Sequence, residues 1–176
     1  MLIDYRLIDM EERHLELVLQ WRRSKVIRAA SYSGHFLTRA EHVAWFENTS
    51  KDPYTIVKLL EYQNEPLGLV NFSNLDAVNE RCQWGIYIGA KDAPRGSGTI
   101  LGALALNMIF YSIGMHKVCA EVIDDNPISL NFHRKLGFIE EGRFQKHIKK
   151  NNQFIDVIPM ALFSKDWKRD SSTLFQ

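Results

Sequence analysis

Arg95-Gly96-Ser97-Gly98-Thr99-Ile100-Leu101-Gly102 decides how this chain is read. The octapeptide follows an alternating apolar stretch, Cys82 to Gly89, and opens an apolar run from Ile100 to Ile113. The order is strand, short Gly-rich loop, helix. Glycines let backbone N–H groups close around an anion without interference from a Cβ, and a helix N-terminus adds the positive end of its dipole. The pattern therefore reads either as a diphosphate cradle or as a tight turn. It is no Walker loop, because no Lys-Ser/Thr pair follows the second glycine. Nor is it a dinucleotide fingerprint, since the third glycine of G-x-G-x-x-G would fall at Leu101.

The rest of the chain is that of an ordinary soluble globule. Its 176 residues suit one domain, residues 1–176, with a sizeable core. Lysines and arginines number 22 against 21 acidic residues, a net charge of +1, which argues against a general nucleic-acid or membrane binder. Met1 to Arg6 lack the basic start and long apolar region of a signal peptide, and no run of apolar residues is long enough to span a bilayer. Cys82 and Cys119 each sit in a strand-like run, with no CxxC spacing and no ligand cluster nearby. They read as buried free thiols, so no metal is expected and a reducing cytoplasm is the expected compartment.

Around the loop the elements follow from periodicity and capping. Residues 2–8 alternate and predict a first strand, after which Asp9 would cap a helix from Met10 to Arg23. On that helix Leu15, Val18, Leu19 and Arg22 share one face, an unusual place for a surface charge. Thr38 and Glu41 make a capping box for a second helix ending near Asn48. Strands are predicted over 55–61, 67–74, 80–89 and 117–123. A short helix runs from Asn126 or Pro127 to Leu136, stopped by Gly137. A last hairpin pairs 138–149 with 153–163 around Lys150-Asn151-Asn152. The order βααβββαβαββ predicts a mixed α/β sheet of about seven strands flanked by about four helices.

That order resembles the GNAT family of acetyl-CoA-dependent N-acetyltransferases. Their phosphate loop reads Gln/Arg-x-x-Gly-x-Gly/Ala; Arg95 and Gly98 match, while Ile100 stands at the last small residue. Their second signature, Asn-x-x-Ala-x-x-x-Tyr-x-x-x-Gly-Phe, is met from Asn126 to Phe138, with His133 in the slot of the tyrosine that protonates the departing thiolate. The resemblance implies a sheet splayed between strands 4 and 5. It implies acetyl-CoA as co-substrate, its diphosphate on Arg95, Gly96, Ser97, Gly98, Thr99, Ile100 and Leu101. The backbone of Tyr87, Ile88 and Gly89 would pair with pantetheine, aided by Asn126 and Phe132. Asn71 and Glu121 fall where relatives draw the proton from the amine, and apolar Cys119 and Ile123 beside Glu121 are expected to favour a base. Each of these residues also has a structural reading: a strand-edge Glu, a solvated helix His.

The first third is similar to the acetyltransferases of pseudaminic acid biosynthesis, through Trp21-Arg22-Arg23, Ile27-Arg28, Tyr32 and Glu41-His42-Val43-Ala44-Trp45-Phe46. The likeness extends to Gly98-Thr99-Ile100-Leu101, Glu141-Gly142-Arg143 and Phe154-Ile155-Asp156-Val157. It implies transfer to the 4-amino group of a UDP-linked 4-amino-4,6-dideoxy-N-acetyl-altrosamine by direct amine attack, on the way to glycosylated flagellin or surface polysaccharide. Arg22, Arg28, His42 and Arg143 would meet the diphosphate; Tyr32, Trp45, Phe46 and Tyr87 would meet uracil and the C6 methyl. Trp45 and Phe46 read equally as core. Two other functions fit the chain: acetylation of a protein N-terminus or a polyamine, and a non-catalytic acyl-CoA-binding module. A homodimer is compatible with all three.

Overall fold

In the computed structural model, which describes residues 4–168, eight strands form one mixed sheet. They are β1 Tyr5–Asp9, β2 Ile56–Tyr62, β3 Glu65–Asp76, β4 Arg81–Ile88, β5 Lys117–Ile123, β6 Ile139–Glu140, β7 Phe144–Lys150 and β8 Gln153–Phe163. Their order is β1-β2-β3-β4-β5-β8-β6, with β7 also on β8. The helices are α1 Leu15–Arg23, α2 Lys25–Ala30, α3 Arg39–Lys51, α4 Ser97–Asn107 and α5 Pro127–Leu136. No helix among the described residues is long and apolar enough to cross a membrane. Leu2 and Ile3, expected in the first strand, lie outside the described residues.

Four local corrections have identifiable causes. Asp9 ends β1 instead of capping a helix; Glu12–His14 form a 3-10 turn, and α1 begins only at Leu15. The helix then breaks at Ser24, whose hydroxyl accepts from the Ile27 N–H and starts the unforeseen α2. The box of Thr38 and Glu41 forms as expected, but α3 runs on to Lys51. The final hairpin arm divides into β6 and β7, which pair with successive parts of β8 on one edge, separated near Gly142 at φ +158°.

Alternation distributes the strand side chains between two layers. Val70, Phe72, Trp84, Val118, Ala120 and Val122 pack under α4 and α5 with Leu101, Leu106 and Leu136. Leu59 and Leu69 face the other way, onto Val18 and Trp21 of α1. Full burial of each large apolar side chain is worth roughly 1.5–3 kcal/mol.

One topological feature positions the site. β4 and β5 run parallel, joined by α4, and pair only through Arg81–Gln83 with Lys117–Cys119. Beyond that point β4 stays on β3 and the rest of β5 stays on β8, so a gap opens. Trp21 packs against the chain where it leaves β4; a Cβ on Gly89 would lie 2.1 Å from its ring, so only glycine fits there.

Candidate active site

A cavity of about 540 Å³ opens where β4 and β5 part. Leu69 and Asn71 of β3, Gly85–Ile88 of β4 and Ala120–Ile123 of β5 line it. Arg22, Arg28 and Trp45 come from the first three helices, His133 and its neighbour Ser129 from α5, and Asn126 from the α5 cap. Residues from five separate stretches of the chain thus converge on one space.

Arg22 is held by two stacked rings, His42 and Trp45. Its Nη1 donates to His42 Nδ1 at 3.1 Å, and its guanidinium lies 4.4 Å from the centroid of the Trp45 ring. His42 is 1% exposed, stacks on Trp45 and donates from Nε2 to the Leu15 carbonyl at 3.0 Å. Burial, then the neighbouring Arg22 cation, pushes the His42 imidazole below its ordinary value, so neutral His42 supports Arg22 from behind. His42 thus lies behind Arg22, outside the cavity lining, rather than at the expected diphosphate site. Phe46, next to Trp45 on α3, points into a separate groove beside Thr49 and Ile56. Arg143 bridges Asp124 and Asp156 at 2.8 Å each and is not among the residues that line the cavity. Arg28 stays at the cavity, its Nε donating to Gly34 O at 3.1 Å.

Glu121 projects from β5 on the face opposite Val122, and Tyr32 donates its hydroxyl to Glu121 Oε2. The apolar enclosure expected of its neighbours is missing: Ile123 is buried, but Glu121 itself is exposed. Asn71 and Tyr87 behave differently. Among the described residues, Asn71 Oδ1 and the Tyr87 hydroxyl are shielded from solvent and have no hydrogen-bond partner. Burial raises the Tyr87 phenol well above its usual range, so it remains a donor. Orphaned polar atoms are costly inside a fold and mark a place where a ligand or water belongs.

His133 is 5% exposed and both ring nitrogens are engaged. Nδ1 donates to the Ser129 carbonyl at 2.7 Å, and Nε2 accepts from the Trp84 indole at 3.2 Å. Burial holds the imidazole below its ordinary value. In this arrangement the ring has no free N–H for a departing sulfur, so the expected acid role finds no donor here. Trp84, which sequence reasoning passed over as an ordinary strand residue, is its partner and a cavity wall.

The Gly loop behaves as a helix start. Gly96 caps α4 at φ +93°, a left-handed conformation that glycine adopts without strain. Ser97 spends both its N–H and its hydroxyl on the Pro94 carbonyl, and the Ile100 N–H goes to Gly96 O. Ile100 and Leu101 are core residues. The expected cradle thus narrows to the Gly98 and Thr99 N–H groups, the first-turn donors that a helix leaves unpaired. Arg95 is exposed beside them, and Phe132 borders Gly98. The β4 expectation narrows as well. Gly89 donates to Leu67 O, so alternation turns Tyr87 and Gly85 to β3 as well and presents Ile86 and Ile88 to the gap. Asn126 Oδ1 accepts from Ser129 N at 3.1 Å as the α5 cap, and the residue lines the cavity. A slot with free strand groups, ending at unpaired helix N–H groups, fits the pantetheine and diphosphate of acetyl-CoA.

A stability consequence follows from the histidines. His14, His42 and His133 are all held below their ordinary value, chiefly by burial. The unfolded chain therefore binds more protons as pH drops through about 6.5, and stability rises with pH in that window. The melting temperature should fall between about pH 7.5 and about pH 5.5. A flat melting temperature across that interval, by calorimetry, would show that the three rings take protons freely in the fold.

Comparison with known proteins agrees with this geometry. Residues 5–139 match the acetyltransferase (GNAT) domain family. Spermidine N(1)-acetyltransferase of Escherichia coli (strain K12) is 26% identical over 115 residues, covering 65% of this chain and 62% of that protein. The chain thus spans under two thirds of that relative's length. L-methionine sulfoximine/L-methionine sulfone acetyltransferase of Pseudomonas aeruginosa (strain PAO1) is 25% identical over 129 residues, 70% of this chain and 73% of the relative. Among solved structures, spermidine N-acetyltransferase from Vibrio cholerae, in complex with CoA and spermine, superposes with a TM-score of 0.87 over 93% of this chain and 98% of that one. At 19% identity that likeness carries the fold alone. The matched domain, the parted β4 and β5 and the glycine-capped α4 together make this chain a member of the GNAT acetyltransferase family.

Proposed function

We propose that this chain transfers the acetyl group of acetyl-CoA to a primary amine on an anionic acceptor, a UDP-linked 4-amino-4,6-dideoxy-N-acetyl-altrosamine. The observation that carries this reading is the charge of the cavity. Two guanidinium groups, Arg22 and Arg28, line it, against one carboxylate, Glu121. A diphosphate finds paired guanidinium groups there, whereas a polycation would meet like charge. Relatives named for spermidine support a second reading, a polyamine acceptor. The feature in its favour is Glu121, the acidic group of the cavity lining, with a second carboxylate, Glu41, paired to the lining residue His35.

Acetyl-CoA, when bound, supplies an activated thioester carbonyl. Glu121 Oε1 takes the proton as the amine nitrogen bonds to the carbonyl carbon and the C–S bond breaks. Asn71 holds the acceptor or a water through its unpartnered Oδ1. A thiolate of pKa near 8.5 departs without obligatory protonation, so His133 need not supply one. Burial pushes the Cys82 thiol up to about 12 and raises Cys119, which favours direct attack over an acyl-enzyme.

Turnover of acetyl-CoA with the UDP-amino sugar against spermidine decides between the readings. Arg22→Ala should raise the KM for the nucleotide-sugar by the equivalent of about 1.5–3 kcal/mol, the range of a charge-assisted hydrogen bond. It should leave the acetyl-CoA KM unchanged. Exclusive turnover of spermidine, or an unaltered nucleotide-sugar KM, would replace this acceptor class with the polyamine.

A further inference from the structure

The segment from Ser24 to Leu37 crosses the cavity and is tied down at three points. Arg23 Nε donates to Leu37 O at 2.7 Å. Lys150, at the end of β7, donates to the carbonyls of Ala29 and Ser31. The third tie is the Tyr32 hydroxyl on Glu121 Oε2, spanning 89 positions of sequence. The Tyr32 ring is itself set edge-on against His147 at 6.4 Å, and His147 leans on Phe144 at 4.9 Å. A bulge between Phe144 and Ile148, with Lys146 at φ +50°, places His147 there.

We propose that Tyr32 is a positioning residue for acetyl transfer: by holding Oε2 of Glu121 it turns Oε1 toward the acceptor amine, and it does so only while the α2 segment lies across the cavity. This rests on the reading of Glu121 as the base. An exposed glutamate on a strand samples several rotamers, and fixing it opposes side-chain entropy. One phenol donor selects a single carboxylate orientation and leaves the other oxygen's lone pairs open. Burial and the carboxylate keep the phenol protonated, so the donor persists across neutral pH. Acceptor entry, segment closure and base orientation thereby become one event.

The test is a double-mutant cycle on the full chain, with acetyl-CoA and either the UDP-amino sugar or spermidine, whichever turns over faster. Tyr32→Phe keeps the ring contact and removes only the hydroxyl. It should lower kcat about tenfold at unchanged acetyl-CoA KM, while Glu121→Ala lowers it further and the double variant matches Glu121→Ala. A Tyr32→Phe enzyme within about twofold of wild type, or losses that multiply in the double variant, overturns the proposal. Deep loss in Glu121→Ala with a silent Tyr32→Phe removes the positioning role alone. A silent Glu121→Ala removes the base and the positioning together. Hydrogen exchange tests the Tyr32–Glu121 tie without any acceptor. Tyr32→Phe and Glu121→Ala should each speed amide exchange over residues 25–37 and together do no more. Unchanged exchange in either variant overturns it.

Discussion

Gly98→Asp should abolish acetyl-CoA binding while leaving the protein folded. Gly98 sits in the first turn of α4, where N–H groups point out of the helix end and the dipole favours an anion. A Cβ there would lie 3.7 Å from Ile88 and 3.9 Å from Phe132, ordinary contact distances, so the fold has room for the substitution. The diphosphate does not, because the new carboxylate occupies its place and repels it. Loss of one anion site and gain of a like charge should reduce affinity at least a hundredfold, about 2.7 kcal/mol or more. Gly96 is a poorer choice for the experiment. At φ +93° any side chain there is strained by roughly 1–2 kcal/mol, which would mix folding with binding. Calorimetric titration of acetyl-CoA into Gly98→Asp, with a melting curve as control, reads the effect directly. Unchanged affinity in a folded variant would return the loop to the status of a tight turn.

What the sequence made legible was local. β5 is observed over Lys117–Ile123 and α5 over Pro127–Leu136, as predicted, because alternation, the Asn126 cap and Gly137 are encoded within a few residues of the elements they define. The α1 break was not legible, since Arg22-Arg23-Ser24-Lys25 contains no Pro or Gly and Ser24 shows itself as a cap only through its bond to Ile27 N. The apolar run after the loop predicts one helix, yet its last turns, Met108–Ile113, widen into a π-helix, which shares the same apolar pattern. Site residues divided in the same way. Arg22 was marked by its place on an apolar face, and the cavity indeed receives it. Trp45 and Phe46 are adjacent in sequence but about 100° apart around α3, so one reaches the cavity and the other does not. Arg143 looked free until Asp124 and Asp156, on either side of it in sequence, closed on its guanidinium. The Tyr32–Glu121 and Trp84–His133 bonds span 89 and 49 positions, and no periodicity carries such pairs.

Glu121→Gln and His133→Phe should separate sharply, although the sequence places both in catalysis. Glu121→Gln keeps shape and hydrogen-bonding capacity but cannot accept a proton from the amine. Turnover should drop by about 10²–10⁴-fold, the usual contribution of a general base, with acetyl-CoA affinity nearly constant. His133→Phe removes a ring whose N–H is committed to Ser129 and whose second nitrogen receives the Trp84 indole. The damage there is structural: a buried Trp84 N–H left unsatisfied costs about 1–3 kcal/mol. Melting temperature should fall, and turnover should fall only as far as the Trp84 wall of the cavity shifts. His133→Tyr restores the usual family residue, but a phenol cannot reproduce both imidazole bonds; it should lie between wild type and His133→Phe in melting temperature, with turnover following in the same order. The decisive comparison is therefore kcat against melting temperature in the two positions. A stable His133→Phe enzyme that loses turnover as deeply as Glu121→Gln would restore His133 as the acid, since only a proton-transfer role produces that pattern without loss of fold.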